Sequence, residues 1–129
     1  MAHGNFVLDK GYNAAAAITK YRAVKYSAAE TVTPVTGIAD VVAGWAQFAV
    51  SAAEILKGKG CSTRVMGVTE AEAAGAIAIG ARCQLEADGR VSAVVAASGK
   101  RIVGTCVGHA AGAAGERIAM RLDLEGALA

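Results

Sequence analysis

The sequence has little of the material that marks several protein classes. Its 129 residues include one proline, three cysteines and six aromatic residues. The cysteines, Cys61, Cys83 and Cys106, are widely spaced and include no CxxC pair. This pattern argues against a disulfide framework and against a zinc site. We therefore expect three reduced, buried thiols and no metal.

An excess of charge and long apolar runs are also lacking. The formal net charge is +2 at pH 7, with no run of five basic residues, so there is no footprint for a nucleic-acid partner. The longest uncharged apolar stretches, 41–53 and 102–115, are too short to span a bilayer. No basic segment followed by an apolar one opens the chain, so no secretory signal is expected. These features predict a soluble protein made in a cytosol, with no membrane partner.

Small side chains are what the sequence has in quantity, with thirty-one alanines and sixteen glycines. Because each buries little area, a core built from them is thin, and such a chain gains from packing against copies of itself or another protein. Residues 1–16 carry Phe6, Val7, Leu8 and Tyr12 without strand or helix periodicity. They read as an extended N-terminal arm that a partner would hold in place and that the fold would not need.

From Ile18 onward the composition favours strands. Pro34 cannot donate to a sheet ladder, so we expect it at an edge or a strand end. Ser51 and Glu54 have the spacing of a capping box, and Gly58 can end a helix. We therefore favour a strand followed by a short helix in 41–57; one longer helix from Asp40 is the alternative.

In the second half, a strand ending near Val68 and a capped turn at Thr69 with Glu72 precede a hairpin. Asp88-Gly89 supplies its turn. In 117–124 apolar and polar residues alternate, which is typical of a half-buried strand.

The two halves of the chain resemble each other. A shift of 60 places Arg22 on Arg82 and Gly44 on Gly104. This predicts two similar β-units, 17–67 and 76–124, within one domain, 17–129. The fold class is then mainly β: a small barrel or sandwich of short antiparallel strands, with one or two short helices and the N-terminal arm.

No catalytic constellation stands out. His3 and His109 have no metal-ligand spacing to an acid or a cysteine. Cys106 and His109 are three residues apart, but no third group nearby would orient the imidazole, so we interpret Cys106 as an inert core residue. The glycine-rich stretch 104–115 lacks the phosphate-loop motifs. The sequence thus favours a protein that is not an enzyme and needs no cofactor.

Two stretches carry a resemblance to a known family. RVMGVTEAEAAGAIAIGARCQLEADGRV (64–91) and RIVGTCVGHAAGAAGERIAMRL (101–122) resemble motifs of the small β-barrel capsid decoration, or cement, proteins of tailed bacteriophages. The resemblance covers 17–124 and is closer in the second half. Ala81 stands where the family often has Asp, and 44–61 carries extra residues. The shared motifs are turns and strands, so the resemblance supports the fold directly and the function only by association.

The resemblance implies a virion protein, made in the host bacterial cytoplasm, that sits on the capsid exterior as a homotrimer. It would bind the major capsid protein and stabilise the shell. The arm residues Phe6, Val7, Leu8 and Tyr12 are then candidate capsid or subunit contacts. So is Trp45, although in a chain short of bulk the aromatic residues, Tyr12 and Trp45 among them, are favoured as core anchors and a subunit contact is their alternative. Another virion module, such as a tail or spike part, and a small-ligand-binding β-domain remain alternative functions.

Overall fold

The computed structural model describes residues 7–129, and within them the chain is mainly β with one short helix. The first five strands are β1 (Leu8–Ala14), β2 (Ala23–Ala28), β3 (Thr31–Pro34), β4 (Val42–Ala46) and β5 (Cys61–Met66). Helix α1 (Ala52–Leu56) lies between β4 and β5. The remaining strands are β6 (Val68–Glu72), β7 (Arg82–Leu85), β8 (Val91–Ala93), β9 (Ile102–Cys106) and β10 (Arg117–Leu122).

The first five strands form a closed barrel in the order β1-β3-β2-β4-β5, and β1 closes it by pairing with β5. The strands were expected to be antiparallel, and this is wrong for one pair: β1 runs parallel to β3. The predicted class, a small β-barrel or sandwich, is confirmed.

The other five strands form a second sheet in the order β6-β10-β9-β7-β8. Ala73, which follows β6, makes a parallel bridge with Val91 of β8. Each sheet therefore has the same connectivity, with β6 in the place of β1 and β8 in the place of β3. We call 8–66 the first unit and 68–122 the second unit.

The same backbone hydrogen bonds recur in the two units. Ile18 and Val50 exchange a pair of N–H···O bonds, as do Ile77 and Ala111. Tyr21 donates to the carbonyl of Ala46 at 2.8 Å, and Gly80 donates to that of Cys106 at 2.7 Å. Tyr21 and Gly80 both have a positive φ, 63° and 84°. This conformation is uncommon outside glycine, so the two turns share a specific shape.

The unit boundaries differ from the expected 17–67 and 76–124, because each unit begins one strand earlier. Val24 pairs with Gly44 as Cys83 pairs with Gly104, so the two glycines are equivalent. In the same frame Arg22 corresponds to Ala81, and the overlay of Arg22 on Arg82 is off by one residue.

The N-terminal arm needs the largest correction. Residues 8–14 are barrel strand β1, and only residue 7 precedes them in the described chain. Tyr12 and Ala14 are buried in the barrel core. This segment is part of the fold, so deleting residues 2–13 would remove most of the strand that closes the barrel.

Local signals in the first unit were reliable. Ser51 caps α1, its side chain accepts from the backbone N–H of Glu54, and Glu54 returns the bond. A strand and a short helix therefore form as favoured, and one long helix from Asp40 is wrong. Pro34 ends β3, as its missing N–H requires.

The larger core crosses from the first unit to the second. Ala23, Val35, Val42 and Trp45 are buried in one cluster with residues of the second sheet, among them Leu85, Val103, Ile118 and Met120. Trp45 is fully buried, and its Nε1 donates to the carbonyl of Tyr21 at 3.0 Å. A separate small core fills the barrel. The indole thus anchors the two units to each other.

Candidate contact surfaces

The structure separates the five residues predicted to make capsid or subunit contacts. Phe6 lies outside the described residues. Val7 and Leu8 are 47% and 49% exposed, so they are available to a partner. Tyr12 and Trp45 are buried in the two cores. Such contacts would require a change in the fold, and the core position favoured for the aromatic residues is the observed one for both.

Tyr12 has a structural role that its exposed neighbour Tyr26 shares. Their hydroxyls lie 3.0 Å apart, and the rings meet edge to face with centroids 5.5 Å apart. Such aromatic pairs favour this arrangement. The hydrogen bond to Tyr26, together with burial, raises the pKa of Tyr12 to about 12. The hydroxyl of Tyr12 therefore stays protonated, and its contact with Tyr26 links β1 to β2.

Two of the exposed apolar side chains lie side by side on neighbouring strands. Leu8 and Met66 are cross-strand partners on β1 and β5, next to a register shift between Leu8 and Asp9, and Met66 is 56% exposed. Directly opposed residues on neighbouring strands lie on the same face of a sheet. We call Leu8 and Met66 the β1–β5 patch. No sequence pattern pointed to Met66, because only the pairing register places it beside Leu8.

An ion pair fixes the strands beside this patch. The guanidinium of Arg64 donates from Nε and Nη2 to the two carboxylate oxygens of Asp9, at 2.7 and 3.0 Å. It also donates from Nη1 to the carbonyl of Val68 at 3.0 Å. Hydrogen bonding from Arg64 holds the pKa of Asp9 below its usual value. The ion pair therefore joins β1 to β5 directly beside the patch.

Charged side chains join the two units around the shared core. Arg22 donates from Nε and Nη2 to both carboxylate oxygens of Glu72, at 3.2 and 3.1 Å. Arg101 donates to the carbonyls of Ala39 and Asp40 at 2.9 and 2.8 Å. Together with the shared core that contains Trp45, these contacts join the two units.

Cys106, His109 and the acidic residue near them do not form a catalytic arrangement. Cys106 Sγ bonds to the backbone carbonyl of His109 at 3.2 Å, not to its imidazole. The exposed imidazole instead lies 3.9 Å from Glu70. Within 7–129 no three His, Cys, Asp or Glu side chains are arranged to hold a metal ion. His3 lies outside the described residues.

A cavity of about 70 Å³ lies between the first unit and the β7–β8 turn, where Arg22 and Asp88 supply its charged lining. Pockets for drug-sized ligands measure about 300–1,000 Å³, so it has no room for one. The part of the chain described here has no helix with the length and apolarity needed to cross a membrane.

The three cysteines are buried and unpaired. Burial raises the pKa of all three thiols, and that of Cys83 rises to about 12. We expect the folded protein to react with a thiol reagent at about pH 8 far more slowly than the unfolded protein, since the thiolate is the nucleophile. Titration with the reagent in denaturant should release three thiols per chain. Fast native reaction of one cysteine would contradict this.

Comparison with solved structures finds a fold match. The chain is similar to the crystal structure of the N base of head fiber gp8.5 in bacteriophage phi29, with a TM-score of 0.64 and 15% sequence identity. The match covers 96% of this chain and 100% of that chain. No protein-family model and no curated protein matches the sequence. The likeness shows that the two chains share a fold over nearly their whole lengths.

Proposed function

We propose that this protein is a structural component of a phage virion that binds the outside of the head, as a homotrimer, and stabilises the shell of the major capsid protein. The observation that carries the proposal is the fold shared with the base of a phage head fiber. The motif resemblance in 64–91 and 101–122 supports the same kind of protein on separate grounds.

The chemistry of the described surface fits a role in assembly. The β1–β5 patch exposes two large apolar side chains that are paired only with each other across the strands. Burying each against a partner would contribute about 1.5–3 kcal/mol before ordering costs. We assign one contact with the shell to this patch, together with the exposed Val7 that precedes Leu8 in the chain.

The test is binding of the purified protein to heads assembled from the major capsid protein of the same virus. Co-sedimentation measures attachment, analytical ultracentrifugation measures the mass of the free protein, and thermal disruption measures shell stability. The proposal expects saturable binding, trimers free or on the shell, and a higher disruption temperature. Absence of binding would overturn it.

The double variant Leu8→Gln/Met66→Gln should bind heads at least about tenfold more weakly, because a loss of 1.4 kcal/mol already gives that factor. The matched control is Phe48→Gln/Leu56→Gln, which changes two apolar residues that are 59% and 89% exposed. The control should bind like the wild type. If the patch variant folds and binds as tightly as the control, the patch is not the contact.

A second candidate follows from the same neighbour, which is described as the base of a fiber. In that role the chain would attach an appendage to the head. Electron microscopy of saturated heads separates the two candidates. A decoration protein gives low, compact density, whereas a fiber base supports a density that projects from the shell.

A further inference from the structure

Three side chains form a row across the outer face of the second sheet. Arg82 pairs with Thr105, and Thr105 pairs with Arg121, so β7, β9 and β10 place them side by side. Direct cross-strand partners share a face, and both arginines are exposed. Their strands are two spacings apart, which is about 10 Å. We call Arg82, Thr105 and Arg121 the arginine row.

The two arginines of the row differ from the other five in the chain. Within 7–129 neither makes an ion pair or a side-chain hydrogen bond with a carboxylate. Of the other five, Arg101 donates to backbone carbonyls. The remaining four form ion pairs with acids: Arg22–Glu72, Arg64–Asp9, Arg90–Asp88 and Arg117–Glu70. The acids on the adjacent strand β6 are thus already engaged. The row presents two positive charges that the fold does not neutralise.

The internal repeat allows this face to be compared with the equivalent face of the first unit. The corresponding row in the first unit is Ala23, Trp45 and Arg64, joined by the same kind of pairing. There, Ala23 and Trp45 are buried in the core shared with the second unit. The first unit therefore uses this face to dock a neighbour. In the second unit the equivalent face is open, and it carries charge where the first carries apolar side chains.

We propose that the arginine row is a docking surface for a protein partner that presents carboxylates. A guanidinium offers a planar fork of donors that matches a carboxylate, and the Thr105 hydroxyl between the two can donate or accept. Nucleic-acid binding requires many phosphate contacts from Lys and Arg, and two arginines on a chain of net charge +2 do not supply them. The inference rests on the proposed function, in which the partner is the shell protein.

The experiment compares Arg82→Glu/Arg121→Glu with the control Lys20→Glu/Lys57→Glu. The control makes the same change in net charge at two exposed lysines that are outside the row and form no ion pair among the described residues. Binding to heads is measured by co-sedimentation at low and high salt. Salt screens exposed charges, so wild-type binding should weaken at high salt. The row variant should bind at least about tenfold more weakly at low salt and lose most of its salt dependence, while the control keeps both.

Wild-type protein that does not bind heads overturns the proposed function itself. Wild-type binding with no difference between the row variant and the control overturns this inference alone. Two further results would also overturn it. One is a row variant that binds heads normally but sediments with a changed oligomeric mass. The other is wild-type binding to duplex DNA, in a gel-shift assay, that the row variant abolishes. Unchanged urea midpoints for both variants show that folding is intact.

Discussion

Replacing Trp45 by Ala should lower the free energy of unfolding by about 3–5 kcal/mol, as for other fully buried large aromatic residues. The indole fills the core that the two units share, and its Nε1 satisfies the carbonyl of Tyr21. The variant loses both the packing and the hydrogen bond. Because a domain of this size is only about 5–15 kcal/mol stable, the variant should lose a large share of the protein's total stability. Urea unfolding followed by circular dichroism measures the loss.

Phe48→Ala is the matched control for this prediction. Phe48 lies three residues from Trp45 and is 59% exposed, so its removal leaves no enclosed cavity. Its effect should stay within about 1 kcal/mol. Equal losses for the two variants would contradict the assignment of Trp45 as the anchor between the units.

Gly44→Ala and Gly104→Ala should each destabilise the protein by about 1–3 kcal/mol or more, the usual cost of overpacking. A Cβ on Gly44 would collide with the carbonyl oxygen of Arg64, and one on Gly104 with that of Arg121. These obstacles are backbone atoms, so a side-chain rotation cannot relieve the clash. Thermal unfolding of the two variants should show loss of stability in both units.

The control is Gly11→Ala on β1, where an added Cβ meets nothing within 4 Å. It should be neutral or slightly stabilising, because alanine restricts the unfolded chain more than glycine does. A tolerated Ala at both Gly44 and Gly104 would show that the strands there can separate, contrary to the close approach in the structure.

The sequence determined those elements whose cause is local. The Ser51–Glu54 capping box forms α1, and Asp88-Gly89 turns the β7–β8 hairpin with Gly89 at a positive φ of 86°. Ile118 and Met120 are fully buried on β10 while Arg117 and Arg121 are exposed, as their alternation predicted. In each case the atoms that decide the structure lie within a few residues of each other.

The strands that open the two units were both missed, for one reason. β1 (LDKGYNA) was assigned to the arm and β6 (VTEAE) to a capped turn, since neither has clear alternation. Their hydrogen bonds come from β5 and β10, strands that lie about fifty residues later in the chain. Long-range pairing, which depends on the whole topology, overrides weak local preference in such segments.

The surfaces were also decided only by the tertiary structure. The composition marked Tyr12, Trp45 and Leu8 alike as large apolar residues in a chain poor in bulk. The register then buried Tyr12 in the barrel, placed Trp45 between the units and left Leu8 exposed beside Met66. It likewise set Arg82 and Arg121 on either side of Thr105, though they are 39 positions apart in the sequence. Sequence patterning determined which segments could become strands, whereas strand pairing decided which faces were left for a partner, because a one-residue change of register moves every side chain to the opposite face.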